Sequence, residues 1–284
     1  MKSLNMSKLY KYPCVLTIAG TDPSGGAGIQ ADLKTFAALG CYGMSVITAL
    51  TAQNTCGVKA IHTVPADFIE MQLETLLEDI QPDVIKIGMI HNIEQVNAIT
   101  KVLQQYPDIP IIYDPVMISS SGYQLIEDDA VSAIMKKIFP LSRLITPNMD
   151  EASLLANMPV KTIEDMHSAG LKIMEMRPGA LLLKGGHLES EQLTSLLFDA
   201  SGGIEKLQTN KISTKNTHGT GCTLSSAIAS YVALGLPLSD AVAQAQDYVY
   251  DAILQAADVL CGKGNGSLNH SYGPQKMIKQ EIGK

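Results

Sequence analysis

The sequence predicts a single α/β domain built on a mainly parallel β-sheet with helices on both faces. Short apolar runs alternate with amphipathic segments along the 284 residues, and repeated βαβ units produce that pattern. Neither a linker rich in proline, glycine or serine nor an internal repeat interrupts the alternation. We therefore expect one domain over residues 1–284, in which residues 1–12 form a flexible N-terminal extension.

In the first half of the chain, strand and helix signals follow each other closely. Residues 14–19 are apolar and rich in β-branched side chains, which predicts a buried strand. Residues 27–39 have helical spacing and end before Gly40, a common helix stop. Asn92, with Gln95 three residues later, resembles the capping box of a helix start. The further expected elements are strands at residues 43–50 and 83–87 and a helix at residues 65–80.

The second half of the chain continues the alternation. Thr162, with Asp165 three residues later, predicts another helix start. Residues 193–198 and 206–212 flank a Ser-Gly-Gly turn and predict an antiparallel hairpin. The further expected elements are strands at residues 109–113, 144–146 and 180–183, a helix start near residues 127–129 and a buried helix at residues 223–234.

Composition and charge exclude several functional classes. The net charge of −7, with only two arginines, disfavours a nucleic-acid surface. No apolar run approaches the roughly 20 residues that span a bilayer, and residues 1–11 lack the apolar region of a signal peptide. Five cysteines without a CxxC pair indicate a reducing compartment and no structural zinc. We therefore expect a cytoplasmic protein that acts on small molecules, without nucleic-acid or membrane partners.

Polar or glycine-rich segments follow four of the predicted strands. In an open α/β sheet, ligands bind beyond the carboxyl ends of the strands. These segments therefore predict a binding site at one edge of the sheet. They are residues 20–28, 114–117, 147–151 and 184–187.

A glycine-rich turn at residues 216–222 (Asn-Thr-His-Gly-Thr-Gly-Cys) precedes the predicted helix at residues 223–234. Glycine lets the backbone approach a ligand closely, and the free N–H groups of a helix N-terminus favour anions. Cys222 would lie in that field, where a thiolate should form more easily than on a free cysteine. A helix start in which glycine serves only tight packing is the alternative interpretation.

Each of these segments also has a purely structural interpretation. The loop at residues 20–28 lacks the ending of a Walker A motif and the spacing of a dinucleotide fingerprint, so an ordinary turn explains it equally well. The other structural interpretations are an exposed first helical turn for Asn148 and Glu151, a strand-ending turn for Asp114, a solvated charge for Lys184, and loop capping for His187 and His218, which we favour over catalysis for both histidines.

Together these groups suit phosphoryl transfer, a reaction that needs alignment and charge stabilisation more than covalent chemistry. The turn Gly219-Thr220-Gly221-Cys222 would hold the transferring phosphoryl group. Lys184 would offset nucleotide phosphate charge as a point cation. Asp114 and Glu151, directly or through water, would hold the Mg²⁺ that accompanies the nucleotide.

The motifs, in their order, resemble those of the hydroxymethylpyrimidine/phosphomethylpyrimidine kinases of thiamine synthesis, within the ribokinase-like superfamily. The resemblance extends from about Thr17 to His270. It implies a three-layer α/β/α fold, ATP and Mg²⁺ as cofactors, two successive phosphorylations and, in many members, a homodimer. The motifs that carry it are residues 17–32, 52–55 (Ala-Gln-Asn-Thr), 86–89 (Lys-Ile-Gly-Met), 114–117 (Asp-Pro-Val-Met), 146–148, 184–187, 216–222 and 269–270.

The same resemblance assigns residues to the substrates. Gln53 matches the glutamine that pairs with the aminopyrimidine edge, to which a carboxamide offers both a donor and an acceptor. Asn148 is assigned to the nucleotide and its metal together with Asp114, Glu151 and Lys184. The remaining residues assigned to the pyrimidine are Gly20, Asp22, Ala27, Met89 and Val116, for which core packing is the alternative.

Cys222 stands where sugar and nucleoside kinases of the superfamily usually carry an aspartate. We expect it to assist deprotonation of the substrate hydroxyl as a thiolate, or to belong only to the anion hole. Residues 118–124 differ from the usual lid, and Tyr123 is bulky there, so substrate preference is open. A pyridoxal kinase or dual-specificity enzyme is the nearest alternative. A sensor without catalysis and a nicotinamide dehydrogenase are less favoured.

Overall fold

The structure is a computed structural model that describes residues 9–117, 124–186 and 192–282. A short 3₁₀ helix spans Phe139–Leu141. The α-helices are α1 (Gly28–Ala38), α2 (Ala66–Asp79), α3 (Ile93–Leu103), α4 (Asp128–Lys137), α5 (Met149–Ala156), α6 (Ile163–Met174), α7 (Thr220–Ala233) and α8 (Leu238–Leu254). The strands are β1 (Tyr10–Lys11), β2 (Cys14–Ala19), β3 (Tyr42–Ile47), β4 (Ala49–Asn54), β5 (Gly57–Thr63), β6 (Val84–Ile87), β7 (Ile111–Tyr113), β8 (Ser142–Ile145), β9 (Ala180–Gly185), β10 (Gln192–Asp199), β11 (Ile204–Asn210) and β12 (Gln280–Glu281).

The central sheet has eight strands in the order β11-β10-β9-β8-β7-β6-β2-β3. All neighbours from β3 to β9 are parallel, and in the register of the central strands Thr17 lies beside Lys86. The last two strands form an antiparallel hairpin at one edge. The prediction of a mainly parallel sheet with a terminal hairpin is therefore confirmed.

Alternate residues of each central strand pack on opposite sides of the sheet. On β6, Val84 belongs to the core that includes α1, α7 and α8, whereas Ile85 and Ile87 belong to the core that includes α2 to α6. Parallel strands that are buried on both faces consist of nearly continuous apolar residues. Helices thus cover both faces, as predicted, and the molecule has three layers.

The expected single strand at residues 43–50 is wrong. β3 ends at Ile47, where Thr48 leaves the ladder: its N–H donates to the Ala19 carbonyl (3.0 Å) and its hydroxyl to the Met89 carbonyl (2.7 Å). The chain then continues as β4, which pairs with β5 in a separate two-stranded sheet. The apolar run is continuous across this break, so periodicity alone does not reveal it. The sequence patterns also predict neither β5 nor α8.

The first and last strands of the described residues pair with each other. Tyr10–Lys11 pairs with Gln280–Glu281, so the flexible extension expected over residues 1–12 does not include those two residues. Residues 1–8, most of the predicted lid (residues 118–123) and His187 lie outside the described residues. None of the described helices combines the length and apolar character that crossing a bilayer requires.

Candidate active site

Asp22 organises the glycine-rich loop that follows β2. Its carboxylate accepts the N–H groups of Ser24 (2.9 Å), Gly26 (3.1 Å) and Ala27 (2.8 Å). His218 Nε2 lies 2.7 Å from Asp22 Oδ2, a contact that gives His218 the loop-capping role expected of it. Burial raises the pKa of Asp22, but these hydrogen bonds outweigh burial and lower it to about 2. Asp22 lines the site, yet its oxygens are engaged by the protein itself.

The turn before α7 packs directly against this loop. Gly219, the N-cap of α7, has a φ of 84°, and a Cβ there would lie 1.7 Å from the carbonyl oxygen of Gly26. Only glycine permits this approach. One turn on, the Thr223 hydroxyl donates to the Gly219 carbonyl (2.9 Å) and lies 3.0 Å from His270 Nε2. Burial lowers the pKa of His270 to about 4, so the ring is neutral at pH 7.

Cys222 lies where the N-termini of two helices meet. It belongs to the first turn of α7, and the N–H of Gly28, the first residue of α1, acts on its thiol in the direction that lowers the pKa. Burial raises the pKa of the Cys222 thiol to about 11. The Lys86 cation opposes this rise, whereas Asp32 and Asp114 add to it. The expectation of an easily formed thiolate is therefore wrong for this structure, because burial penalises the charged form more than its neighbours favour it.

Lys184 and Asp114 meet beside the start of α7. Lys184 Nζ lies 3.0 Å from Asp114 Oδ1, which also accepts the hydroxyl of Thr146 (3.0 Å). A Cβ on Gly221 would lie 3.5 Å from both Lys184 Nζ and Asp114 Oδ2. The structure thus brings together residues that follow or end three separate strands. Burial raises the pKa of Asp114, but the charges of Lys184 and Lys86 outweigh it and hold that pKa below its ordinary value.

Glu151 and Asn148 form a capping box at the start of α5. The Asn148 side chain accepts the Glu151 N–H (2.9 Å), and the Glu151 carboxylate accepts the Asn148 N–H (2.7 Å). Glu151 is buried, which excludes the exposed first turn considered above. Burial raises the pKa of Glu151 to about 7, with Asp114 adding to the rise and Lys184 opposing it.

The donor set of the site suits a magnesium ion that is bound partly by phosphate. Mg²⁺ in such sites usually takes one or two carboxylates, and phosphate oxygens and water complete its shell. Asp114 and Glu151 are two buried carboxylates that influence each other's charge. Over residues 9–117, 124–186 and 192–282, no group of three or more His, Cys, Asp or Glu side chains could hold a metal alone. The residues therefore fit an ion that arrives with a nucleotide.

One part of the site, which we name the ring part, is lined by Gly20, Gln53, Met89 and Val116. A cavity of about 860 Å³ includes it. Met89 is buried against Val116 and Leu125, and its sulfur would lie 3.1 Å from a Cβ on Gly20. The side chain of Gln53 lies on β4, at the irregular step of the β4–β5 pairing. The assigned residues that line this cavity are Gly20, Asp22, Ala27, Gln53, Met89, Val116, Asp114, Asn148, Glu151, Lys184, Gly219, Thr220, Gly221 and Cys222.

The sequence patterns miss a second part of the same cavity, which we name the base part: Ile212, Leu224, Val249 and Ile253. Val249 and Ile253 are one turn apart on α8 and therefore face the same side of that helix. Ile212 follows β11. An apolar i, i+4 pair on a helix was the available signal, but most buried helices contain such pairs, so the sequence does not single this one out.

A buried ion pair under α7 also escaped sequence reasoning. Lys86 on β6 is fully buried, and its Nζ lies 2.9 Å from both carboxylate oxygens of Asp32 on α1. Asp32 also accepts the hydroxyls of Thr17 (2.6 Å) and Ser226 (2.7 Å). Burial lowers the pKa of Lys86, but neighbouring negative charge outweighs it and raises that pKa above its ordinary value. The sequence feature that could have indicated this ion pair is a lysine inside the apolar run Val-Ile-Lys-Ile.

Comparison with known proteins identifies the family of the chain. The family model "phosphomethylpyrimidine kinase" matches residues 22–269. The hydroxymethylpyrimidine/phosphomethylpyrimidine kinase of Escherichia coli is 44% identical over 258 residues, which cover 90% of this chain and 97% of the relative. A thiamine biosynthesis bifunctional protein of Geobacter sulfurreducens is 45% identical over 256 residues, 90% of this chain. The chain spans about half (52%) of that longer relative.

Two solved structures are also similar. A phosphomethylpyrimidine kinase of Clostridium difficile has a TM-score of 0.75 at 43% identity, covering 84% of this chain and 99% of its own. A pyridoxal kinase of Staphylococcus aureus, solved in complex with AMP-PCP and pyridoxal, has a TM-score of 0.84 at 31% identity, covering 96% of this chain and 100% of its own. The fold is thus the ribokinase-like three-layer sandwich, and the chain belongs to the phosphomethylpyrimidine kinase family.

Proposed function

We propose that this chain is an ATP-dependent kinase of thiamine synthesis that phosphorylates hydroxymethylpyrimidine and then the resulting monophosphate. In each step an oxygen of the acceptor attacks the γ-phosphorus of ATP and the bond from that phosphorus to ADP breaks. The hydroxyl of the first acceptor loses its proton, whereas the phosphate oxygen of the second acceptor is already ionised and attacks directly. The observation that carries the proposal is the meeting of Lys184, Asp114 and the start of α7 in one cavity that also contains the ring part and the base part.

The start of α7 supplies the anion hole of this proposal. Its first N–H groups point out of the helix without partners inside it, and the helix dipole adds partial positive charge. Gly221 leaves room beside Lys184 and Asp114 for a phosphoryl group, and Gly219 lets the turn pack against the Gly26 carbonyl. Lys184, beside Gly221, neutralises nucleotide phosphate charge. Such preorganised donors stabilise the charge that spreads over the phosphoryl oxygens in the transition state.

Cys222 contributes as a neutral thiol before the reaction begins. Its side chain is half-buried, and desolvation by burial holds the pKa of the thiol above its ordinary value, so the thiol keeps its proton unless neighbouring negative charge decreases or positive charge increases. We propose that the Cys222 sulfur accepts a hydrogen bond from the acceptor hydroxyl. This bond would align the hydroxyl with the phosphorus that the N–H groups at the start of α7 hold. Alignment of this kind accounts for much of the rate enhancement in phosphoryl transfer.

Asp114 and Glu151 would hold the Mg²⁺ ion. Bound there, the ion would neutralise phosphate charge and orient the phosphates of the nucleotide. Asn148 keeps the Glu151 backbone and carboxylate in place through the capping box. The base part would bind the adenine ring, because it is the apolar portion of the cavity formed by α7, α8 and the end of β11.

Product analysis tests the proposal directly. Purified protein is incubated with magnesium and ATP and either hydroxymethylpyrimidine or pyridoxal, with the Cys222→Ala variant as the control for contaminating kinases. We expect pyrimidine monophosphate first and diphosphate later. Turnover of neither compound would contradict the proposal.

A pyridoxal kinase is the second candidate, favoured by the TM-score of 0.84 to the S. aureus pyridoxal kinase complex. A pyridoxal ring does not offer Gln53 an aminopyrimidine edge. Turnover of pyridoxal alone, retained by a Gln53→Ala variant, would therefore support the second candidate and reject the first. Turnover of both compounds would identify a dual-specificity enzyme.

We also propose a homodimer that acts in the cytoplasm. Phe68 and Met71 are about half exposed on one side of α2, and Leu50 on β4 is equally exposed, so these elements present apolar area that a second copy could cover. Light scattering coupled to size-exclusion chromatography should give twice the chain mass. Fractionation of cells that produce the protein should recover it with cytoplasmic markers.

A further inference from the structure

The ion pair between Lys86 and Asp32 lies directly under the turn that holds Cys222. Ser226 is one helical turn after Cys222, so both side chains lie on the same side of α7. The Ser226 hydroxyl reaches Asp32 Oδ1 at 2.7 Å, and Lys86 Nζ lies 2.9 Å from the same oxygen. A Cβ on Gly88 would lie 3.0 Å from Lys86 Nζ. The lysine therefore sits between β6 and α7, at the carboxyl end of the sheet.

The Lys86 side of the ion pair faces the cavity. Lys86, but not Asp32, is among the residues that line the cavity. Asp32 is held on the far side by the Thr17 hydroxyl on β2 as well as by Ser226 on α7. Since every partner of Asp32 is fixed by the sheet or a helix, the ammonium cannot follow a mobile phosphate in the way an exposed lysine can.

We propose that Lys86 is a positioning residue for phosphoryl transfer: anchored by Asp32, it supplies a fixed buried cation under the first turn of α7 that favours negative charge at Cys222. The charged groups facing Cys222 are Lys86 from β6, Asp32 from α1, Asp114 after β7 and Lys184 from β9. Lys184 is already paired with Asp114 at 3.0 Å. Removal of the Lys86 cation would leave more negative than positive groups around Cys222, and this excess would disfavour its thiolate.

The alternative interpretation is that the ion pair only stabilises the fold. Removing one partner of a buried pair typically destabilises a protein strongly, whereas replacing both partners is often neutral. The double variant Lys86→Met/Asp32→Asn therefore separates the two roles even if Lys86→Met does not fold. Lys86→Arg keeps the charge and is the conservative control.

The test measures alkylation of Cys222 by iodoacetamide at pH 8, followed by mass spectrometry of its peptide. The thiolate is the reactive form, so we expect at least tenfold slower alkylation in Lys86→Met than in wild type and an unchanged rate in Lys86→Arg. We also expect at least threefold slower alkylation in the double variant than in Asp32→Asn, because these two differ only in the charge at residue 86. Alkylation of the exposed Cys56 serves as the internal control. Equal Cys222 rates in the folded double variant and Asp32→Asn would overturn the proposal.

Kinetics provide the second readout, which rests on the proposed function. We expect kcat to be at least threefold lower in the double variant than in Asp32→Asn, with the KM for the pyrimidine within twofold between them, and kcat in Lys86→Arg close to that of wild type. A fall in thermal stability with kcat unchanged would show a structural role only. Because alkylation needs no kinase activity, failure of the proposed function would not hide the result at Cys222.

Discussion

At the scale of the residue, the site depends on charged and polar groups that the protein holds away from water. Asp22, Asp114 and Lys86 are all buried, and each is bonded to a specific partner rather than to solvent. Burial penalises charge unless such partners compensate for it. The same burial leaves Cys222 a thiol, because no partner compensates its thiolate fully.

Replacement of Cys222 tests the catalytic centre. Cys222→Ala should fold with a melting temperature close to that of wild type and lose about 10²–10³-fold in kcat, the size typical for one preorganised group at such a site. ATP binding, measured by calorimetry, should be largely retained. Unchanged turnover would remove Cys222 from the mechanism. Cys41→Ala, a buried cysteine whose sulfur contacts the Ser230 carbonyl, is the matched control and should keep its activity.

Asp22 should make stability depend on pH in the acid range. Its folded pKa of about 2 is below the value of about 3.9 in an unfolded chain, so the folded state favours the carboxylate. This contributes about 2.5 kcal/mol above pH 5 and falls as pH drops from about 4 through 2.

Denaturant unfolding of Asp22→Asn measures this contribution. The variant should be less stable than wild type by about 2 kcal/mol at pH 6, with a smaller difference at pH 3. The exposed Asp108→Asn is the control. A difference that does not shrink with acid would show that Asp22 stabilises the loop by something other than its charge.

At the scale of the element, a glycine with a left-handed backbone conformation stands at each end of α7. Both Gly219 before it and Gly235 after it have positive φ values, 84° and 93°. Only at Gly219 would a Cβ collide with another segment, since around Gly235 nothing lies within 4 Å. Substitutions at these two glycines can therefore separate the cost of the left-handed backbone conformation from the cost of a steric collision with another segment.

We predict different outcomes for alanine at these two positions. Gly235→Ala should lower the free energy of unfolding by about 1–2 kcal/mol, the cost of the left-handed conformation alone, and keep its activity. Gly219→Ala should lower it by at least about 3 kcal/mol and abolish phosphoryl transfer, because the Gly26 loop must move. Comparable activity in the two variants would contradict the role given to the turn.

A second element-scale feature connects the β4–β5 hairpin with the anion-hole turn. The N–H groups of Gly264 and Asn265 donate to Thr55 in the hairpin turn, at 3.1 and 3.0 Å. At the next residue, the Gly266 carbonyl accepts the His218 N–H at 3.0 Å. The strand that carries Gln53 is thus tied, through one short segment, to the turn that would hold the phosphoryl group.

At the scale of the whole molecule, the parallel sheet brings the ring part and the base part to one edge. The carboxyl ends of β2, β6, β7, β8 and β9 supply the polar groups there, and α7 begins between the two parts. The two substrates would therefore be recognised by different elements and meet only at the start of α7.

This separation predicts reciprocal kinetic effects. Gln53→Ala should raise the KM for hydroxymethylpyrimidine about tenfold, the loss of one to two hydrogen bonds, with the KM for ATP within twofold. Ile253→Ala should do the reverse, because it removes apolar contact from the base part. Steady-state kinetics with each substrate varied in turn provide the measurement. If both variants changed the same constant, the assignment of the two parts would be wrong.

Local chemistry made much of this structure predictable. Short apolar runs identified β2, β6, β7 and β9, and the Thr162 capping box correctly predicted the start of α6. Glycine-rich and polar strand ends identified the residues around the site because parallel strands end at a common edge. The resemblance to a kinase family assigned the chemistry.

The tertiary structure alone decided the rest. The break at Thr48, the base part on α8 and the ion pair under α7 depend on contacts between residues far apart in the chain, which local patterns do not encode. The charge state of Cys222 is the clearest case: the sequence places it at a helix N-terminus, which favours a thiolate, and the fold half-buries it, so that desolvation raises its pKa to about 11. Burial prevails because desolvation acts on the whole charge, whereas the N–H groups compensate only part of it.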